Sequence, residues 1–362
     1  MRTLNNPRTH AQRDQGDQGA VLVMVALVMT VLLGVGALTV DLGALYAEKR
    51  ELQNGSDAAA LAVAQDCSLG TCAGTVAGGS ATATAVKYAD LNARDGTSTV
   101  DFVCGSAPGA TPGLPACADP APTNITGAAG WVRVRTSTRQ SNGSASVPFV
   151  LGPVMNSVTS KTVHATTTVA WGSLGSFNAA PLIFSLCEYM NFGGSINPMT
   201  FPSGQRTITF HGVGGTNEAG IETCHTSPSG QDPGLPGGFG YVENTNCIAA
   251  LIAGGLISPE QGNSFPKGCE PDIWLNNDIV ISIFDQEING HYHVAGFVGF
   301  RLLGYHFNGS NTGPSGFKCK DDDGHPYNNN VVCVYGEFKR FSTDGGGWGG
   351  TDLGARVIKV VG

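Results

Sequence analysis

Charge is scarce in this chain. Asp, Glu, Lys and Arg make up 13% of the 362 residues, and 28 acidic residues outnumber 20 basic ones. No basic run interleaved with aromatics occurs, which argues against a nucleic-acid partner. HExxH is absent, and with it the simplest zinc-protease site. CxxC is absent too, so neither a zinc ribbon nor a thioredoxin-type redox centre is supported. No GxSxG elbow is present, although a Ser-His-Asp triad assembled from distant residues needs no local motif. Tandem repeats and heptads are also missing. Aromatics are only 8%, while glycine reaches 52 residues, a balance that suits short strands and long loops better than a helical enzyme. The length allows two or three domains.

One long apolar run is present. Ala20 to Val40, "AVLVMVALVMTVLLGVGALTV", carries no charge over 21 residues. At about 1.5 Å per residue it spans roughly 30 Å, the hydrocarbon thickness of a bilayer. A cleavable signal peptide is the rival reading, but its apolar region is usually about 7–15 residues and ends in a small-x-small site. Here the run leads into "DLGALYAEKRELQ", a helix that continues. The run therefore reads as a retained transmembrane helix. Arg2, Arg8 and Arg13 precede it, while Lys49 and Arg50 come after it at a distance, flanked by Glu48 and Glu51. That bias favours a cytoplasmic N-terminus.

All ten cysteines lie beyond the run, an even number that suits disulfides in an oxidising compartment. They point to the same orientation: the cytoplasmic membrane, one pass, with the C-terminal part extracytoplasmic. Cys67 and Cys72 bracket the short loop "SLGT", and Cys104 and Cys117 bracket "GSAPGATPGLPA". Cys319 and Cys333 lie across "KDDDGHPYNNNVV" and form the best local pair. Six cysteines fall after residue 175, and six allow 15 pairings, so the remaining connectivity stays open.

The expected organisation is α+β. Residues 1–19 are a tail, 20–40 the transmembrane helix, 41–174 an extracytoplasmic helical and strand region, and 175–362 a disulfide-bonded, mostly antiparallel β domain. In the third segment Leu42, Leu45, Leu52, Ala59 and Val63 fall near one helical face. "NGS" at Asn54–Ser56 predicts a break, with Ser56 capping a second helical segment. The alanines from Ala58 onward leave room for another backbone, besides being good helix formers. A second helix is expected over 81–94. Strands are expected at 131–138, 146–152 and 161–171. In the last segment "RTITFHGV", "DIVISIFD", "HYHVAGFVGFRLLGYHF", "VVCVYGEFKRF" and "ARVIKVVG" read as strands. The stretch from Asp232 reads as a loop and "TNCIAALIAGGLIS" as a short helix.

Local chemistry is sparse. His291 and His293 share one strand face and offer half a metal site without a third ligand. "DQEING" (Asp285–Gly290) begins like a calcium loop, yet Gly296 stands where an EF-hand needs its acidic twelfth residue, so a strand-to-strand turn is expected. Asp321, Asp322 and Asp323 read as an acidic surface loop. Sequons begin at Asn54, Asn124, Asn142 and Asn308, and chance suffices to explain them in a Ser/Thr-rich chain. No catalytic, cofactor or metal residue and no small-molecule substrate is expected.

A glycine at Gly19, the apolar span, "DLG" at Asp41 and "LQNGSDAAALA" from Leu52 occur in order. Together they resemble the N-terminal Tad domain of the TadE/TadG-like proteins of tight-adherence (Flp) pilus assembly, over roughly residues 17–66. Asp41, Leu52, Gln53, Asp57, Ala58 and Ala59 carry the motif. "QDCSLGTC" and "YADLNARDG" resemble actinobacterial members of the group. The resemblance implies a single-pass, non-enzymatic envelope protein whose partners are the lipid bilayer and other membrane or pilus-assembly proteins. Met24 stands where a pilin precursor cleaved at Gly19 would carry glutamate, which speaks against polymerisation as a pilin. The DxSxS site of the von Willebrand A domains in some TadG-like proteins is absent. Two other readings stay open: a surface adhesin or ligand-binding module specified from 176 onward, and an anchored hydrolase with a non-local site.

Overall fold

The computed structural model describes residues 15–72, 80–108, 113–150, 159–196, 199–210, 238–260, 265–266, 268–307, 311–328 and 330–362. Most of the expected N-terminal tail, the loop at 232–237, Cys224 and Asn308 lie outside them. So do the ends of two expected strands, 151–152 and 211–213.

Helix α1, Gln15–Ser68, is 54 residues long and contains no proline, which at 1.5 Å per residue is roughly 80 Å. From Val21 to Val40 its large apolar side chains are exposed all round, the pattern of a helix that lies in lipid or against other helices. The break expected at Asn54–Ser56 does not occur. Ser56 is buried, and its hydroxyl donates back to the Gln53 carbonyl at 3.0 Å instead of capping a new helix. α1 ends where Gly70 takes a left-handed φ of 73° and Thr71 N–H donates to the Asp66 carbonyl at 3.0 Å, as a glycine past a helix C-terminus allows. Helix α2 is Ser80–Leu91.

The chain divides into two compact units. The first holds residues up to Ala59, Thr84–Phe102 and Val134–Thr166. It contains most of both helices, the start of strand β1 (Thr99–Ser106) and the end of β2 (Gly130–Ser137). A small antiparallel pair, Val147–Pro148 with Ser160–Lys161, completes it. Ala85 and Ala89 of α2 are buried, as are Leu52, Gly55 and Ala59 of α1.

The second unit holds Ala60–Ala83, Val103–Arg133 and Thr167–Gly362. Its longer strands are β3 (His164–Ala179, within it from Thr167), β4 (Leu182–Ser185), β5 (Arg206–Thr209), β6 (Phe239–Tyr241), β7 (Ala249–Ile252), β8 (Asp278–Ile288), β9 (His291–His306), β10 (Cys333–Lys339), β11 (Phe341–Thr343) and β12 (Ala355–Val360). A short helix, α3, spans Leu186–Asn191 and is capped by the Ser185 hydroxyl. One sheet runs β1–β2–β3–β12–β11, with β7 paired to β3. The other runs β6–β4–β8–β9–β10–β5. Among strands β3 to β12 the pairing is antiparallel except at β4–β8, β9 with Thr351–Asp352, and β11–β12. One core cluster joins residues of both sheets, among them Leu174, Leu251, Phe284, Tyr292, Phe297 and Val357. The opposite face of the second sheet carries an aromatic cluster of Phe184, Tyr189, Phe239, Phe300, Tyr305 and Phe338.

β8 and β9 are joined through Asn289 and Gly290, with φ of 52° and 79°. Positive φ at both central residues is what a tight primed turn requires, so "DQEING" is a hairpin. On β9 one residue, Ala295, is extra: Phe284 pairs with Val294 and Ile283 with Gly296. Such a bulge shifts the side-chain parity. Tyr292 and Val294 face the inter-sheet core, whereas Val298, Phe300 and Leu302 face the aromatic one.

Two further expectations need correction. The "TNCIAALIAGGLIS" stretch is not a helix. It forms β7 and the short strand Leu256–Ile257, because Ala249 and Leu251 are buried while Ala250 and Ile252 are exposed, a period of two. Residue 175, expected to open a new region, lies inside β3. Gly172 and Gly175 are there because Trp348 and its backbone lie against them; a Cβ on Gly175 would meet the Trp348 carbonyl carbon at 2.7 Å.

Candidate functional site

The residues around the turn from apolar run to polar helix belong to the first unit and are the most specifically engaged on α1. Asp41 is the first charged residue after the run and is only 8% exposed. Its carboxylate accepts the Val150 N–H at 2.7 Å, which fixes the 147–150 strand end beside the foot of the helix. Further along, the Lys49 ammonium donates to the His164 carbonyl at 2.5 Å, and Glu51 accepts the Arg94 N–H. The Leu52 side chain is buried, and its carbonyl accepts the Thr136 hydroxyl at 3.0 Å. A helix carbonyl so used is one that the i+4 ladder also engages, so the β2 end is held to the helix backbone itself.

Gln53 and Asp57 sit one turn apart, with the amide donating to the carboxylate at 2.8 Å. That pair uses the i, i+4 geometry of a helix surface. Gly55 faces α2: a Cβ there would lie 3.4 Å from the Ala89 carbonyl oxygen. Ala58 is half-buried and Ala59 fully buried. Thus the motif residues do two things: Asp41, Leu52 and Ala59 pack or bond inward, while Gln53 and Asp57 brace the helix surface.

Between the helices a cavity of about 480 Å³ is lined by Glu48, Glu51, Gly55, Ala89, Asp95 and Arg139, among others. Burial raises the Glu48 carboxyl above its ordinary range, more strongly than a hydrogen bond to Thr138 lowers it; Glu51 and Asp95 add to the rise.

In the second unit the residues picked out for metal chemistry disperse. His293 Nδ1 is 2.6 Å from Asp285 Oδ1, and His291 Nδ1 is 3.1 Å from the Asn289 carbonyl. These contacts secure the hairpin ends. Asp321 accepts the His325 N–H at 2.7 Å, Asp322 pairs with Arg206 at 3.3 Å, and Asp323 is exposed. Among the described residues no group of three or more His, Cys, Asp or Glu could hold a metal ion. A cavity of about 550 Å³ beside this loop is lined by Gln205, Arg206, Phe317, Lys318, Asp322 and Tyr335, with other residues. The structure joins Cys67 to Cys72, Cys104 to Cys117, Cys247 to Cys269 and Cys319 to Cys333. Cys187 is also disulfide-bonded.

Sequence reasoning missed Thr136, Val150 and the role of Gly55. The first two are ordinary strand residues with no local signal. Gly55 had one, a small residue three positions after Leu52 on an otherwise unbroken helix.

These features define a class: a chain with, among the described residues, one helix long and apolar enough to cross a membrane, leading into a disulfide-bonded α+β body. Residues 19–66 match a family model, Tad, described as "Putative Flp pilus-assembly TadE/G-like". The match covers the apolar run and the bonded part of α1 together. No curated protein and no solved structure gives a match.

Proposed function

We propose that this chain is a membrane-anchored, non-enzymatic component of the cell envelope that serves Tad/Flp pilus assembly. The Tad match on residues 19–66 carries the reading. It spans the one segment that is apolar and exposed up to Val40, then bonded to the rest of its unit from Asp41. An anchor exposed all round suits insertion in lipid and packing against other transmembrane helices. The body beyond Asp41 lies on the extracytoplasmic side, which the disulfides favour because such bonds persist in oxidising compartments. Its partners are other membrane or pilus-assembly proteins, met through helix packing and surface recognition.

Gene deletion with pilus counting by electron microscopy tests the role. Loss or altered number of pili is expected; normal piliation with unchanged export of pilus subunits overturns it. Protease added outside intact spheroplasts tests the orientation: a C-terminal tag is expected to be removed, and its survival would place the body on the other side.

A further inference from the structure

A groove of about 470 Å³ lies on the first unit against the start of the polar part of α1. It is lined by Leu42, Leu45, Tyr46 and Lys49 from the helix and by Lys161 and Val163 from the strand region, with two lysines among them. Tyr46 is 69% exposed although it is aromatic. Among the described residues no carboxylate lines the groove. His164, also at its border, pairs with Asp101 at 3.1 Å on its own strand side. Lys49 is held in place by the His164 carbonyl, and Lys161 is exposed.

Position along the helix says what meets such a surface. Leu42 to Lys49 lie about 3–14 Å beyond Val40, the last residue of the apolar run. The headgroup layer of one leaflet is about 5–8 Å thick, half the difference between total and hydrocarbon thickness. Leu42, Leu45 and Tyr46 therefore fall within that layer or at its edge, and Lys49 beyond it. Val150 is held level with Asp41 by its N–H bond, and its side chain is 64% exposed. An exposed valine and an exposed tyrosine, followed by lysines farther from the apolar run, are the composition of a membrane interface.

We infer that the groove holds the headgroup of an anionic phospholipid. The Lys49 and Lys161 ammoniums bind its phosphate, and the glycerol backbone lies against Leu42, Leu45, Tyr46 and Val163. The inference rests on the reading of residues 20–40 as a membrane span. Alkaline carbonate extraction of native membranes tests that reading separately: release of the chain sinks the span, and the groove with it.

The groove itself is tested on the purified full chain in nanodiscs of equimolar phosphatidylcholine and phosphatidylglycerol. Native mass spectrometry then identifies the lipid that stays bound on release. The wild-type chain is expected to retain phosphatidylglycerol preferentially, and Lys161→Gln to reduce that preference about fivefold, the worth of one lysine near an anionic surface. Lys161 is exposed, so its replacement leaves the fold intact, which far-UV circular dichroism checks. Equal retention of the two lipids by the wild type overturns the proposal, as does an unchanged preference in Lys161→Gln. Displacement of the retained lipid by millimolar inorganic phosphate would make the site a free-phosphate site and also overturn it.

Discussion

The first unit contains no cysteine, and none of its four aromatics, Tyr46, Tyr88, Phe102 and Phe149, is buried. The second holds every described disulfide and all four tryptophans. What the first unit buries is small or polar: Ser56, Ala59, Ala85, Ala89, Thr136 and Thr138, with Leu52 among the few larger side chains. Its cohesion comes from close backbone approach and side-chain bonds to backbone, which yield little hydrophobic free energy per residue. The second unit buries large rings such as Phe184, Tyr189, Phe284 and Phe300, and cross-links the loops around them. On the proposed function the contrast has a physical logic. A segment that lies beside a membrane and meets partner helices can be built lightly, because lipid and partners add to its stability. The second unit carries its own covalent ties.

The contrast breaks most visibly at the disulfides. Replacing Cys247 and Cys269 by alanine opens a bridge with a sequence separation of 22, and should cost about 3 kcal/mol on loop-entropy grounds. Tryptophan fluorescence of the full chain reports the second unit alone, so the loss should appear as a lower tryptophan unfolding midpoint. Amide exchange at α2 residues 84–91 should not change. Equal loss of protection there would show that the units do not differ in the way described.

The helix crossing gives the converse. Gly55→Leu places a branched side chain where Ala89 leaves only a Cβ's room, and overpacking of this kind costs about 1–3 kcal/mol. Amide protection at 84–91 should fall, with the tryptophan transition in place. Gly55→Ala fits at ordinary contact distance and gains helix propensity, so it should be neutral or slightly stabilising. If both variants behave alike, Gly55 is not at a close approach.

Next in size is the bond at the foot of α1. Asp41→Ala removes the charged acceptor of the Val150 N–H and should cost about 1–2 kcal/mol. Faster exchange confined to 147–150 is the expected readout, and Asp41→Asn, which keeps an acceptor oxygen, should lose less. Unaltered exchange in Asp41→Ala would mean that the hairpin is held by other contacts.

The apolar span is readable because 21 charge-free residues admit few alternatives, and the short-range disulfides because each brackets a loop of small residues. Cys247–Cys269 is not, since nothing local selects it among fifteen pairings. Asn54–Ser56 looks like a break only until Ala89 is known to lie against Gly55: the local turn signal is in fact a tertiary packing requirement. The same holds for Gly175, which reads as a boundary and, like Gly172, makes room for Trp348. Ala, Ile and Leu between 248 and 256 suit either periodicity, and the pairing with β3 decides for strand. Of the motif stretch, order and composition are visible, while the bonds from Asp41 and Leu52 depend on partners about 80–110 residues away.

The smallest expected effect concerns two acids raised by burial, one in each unit. Burial holds the Glu188 carboxyl above its ordinary value of 4.5, outweighing the hydrogen bonds from Gly238 N–H and Asn191. The folded state therefore binds this proton more tightly than the unfolded chain does. Its stabilising contribution is complete below the ordinary glutamate range and is lost as pH rises through the raised folded value. Glu188→Gln keeps an acceptor for the Gly238 N–H, which donates to Oε1 at 2.7 Å, and cannot ionise. The variant should be more stable than the wild type at neutral pH, with a flatter tryptophan unfolding midpoint above pH 4.5. Glu48 is raised by burial in the same direction, but it is half-buried and screened by solvent, so Glu48→Gln should shift stability by less than about 0.5 kcal/mol. It should leave the tryptophan transition unmoved. A wild-type pH slope retained in Glu188→Gln would mean that another group of the second unit titrates there, and a tryptophan shift in Glu48→Gln would mean that the two units respond as one.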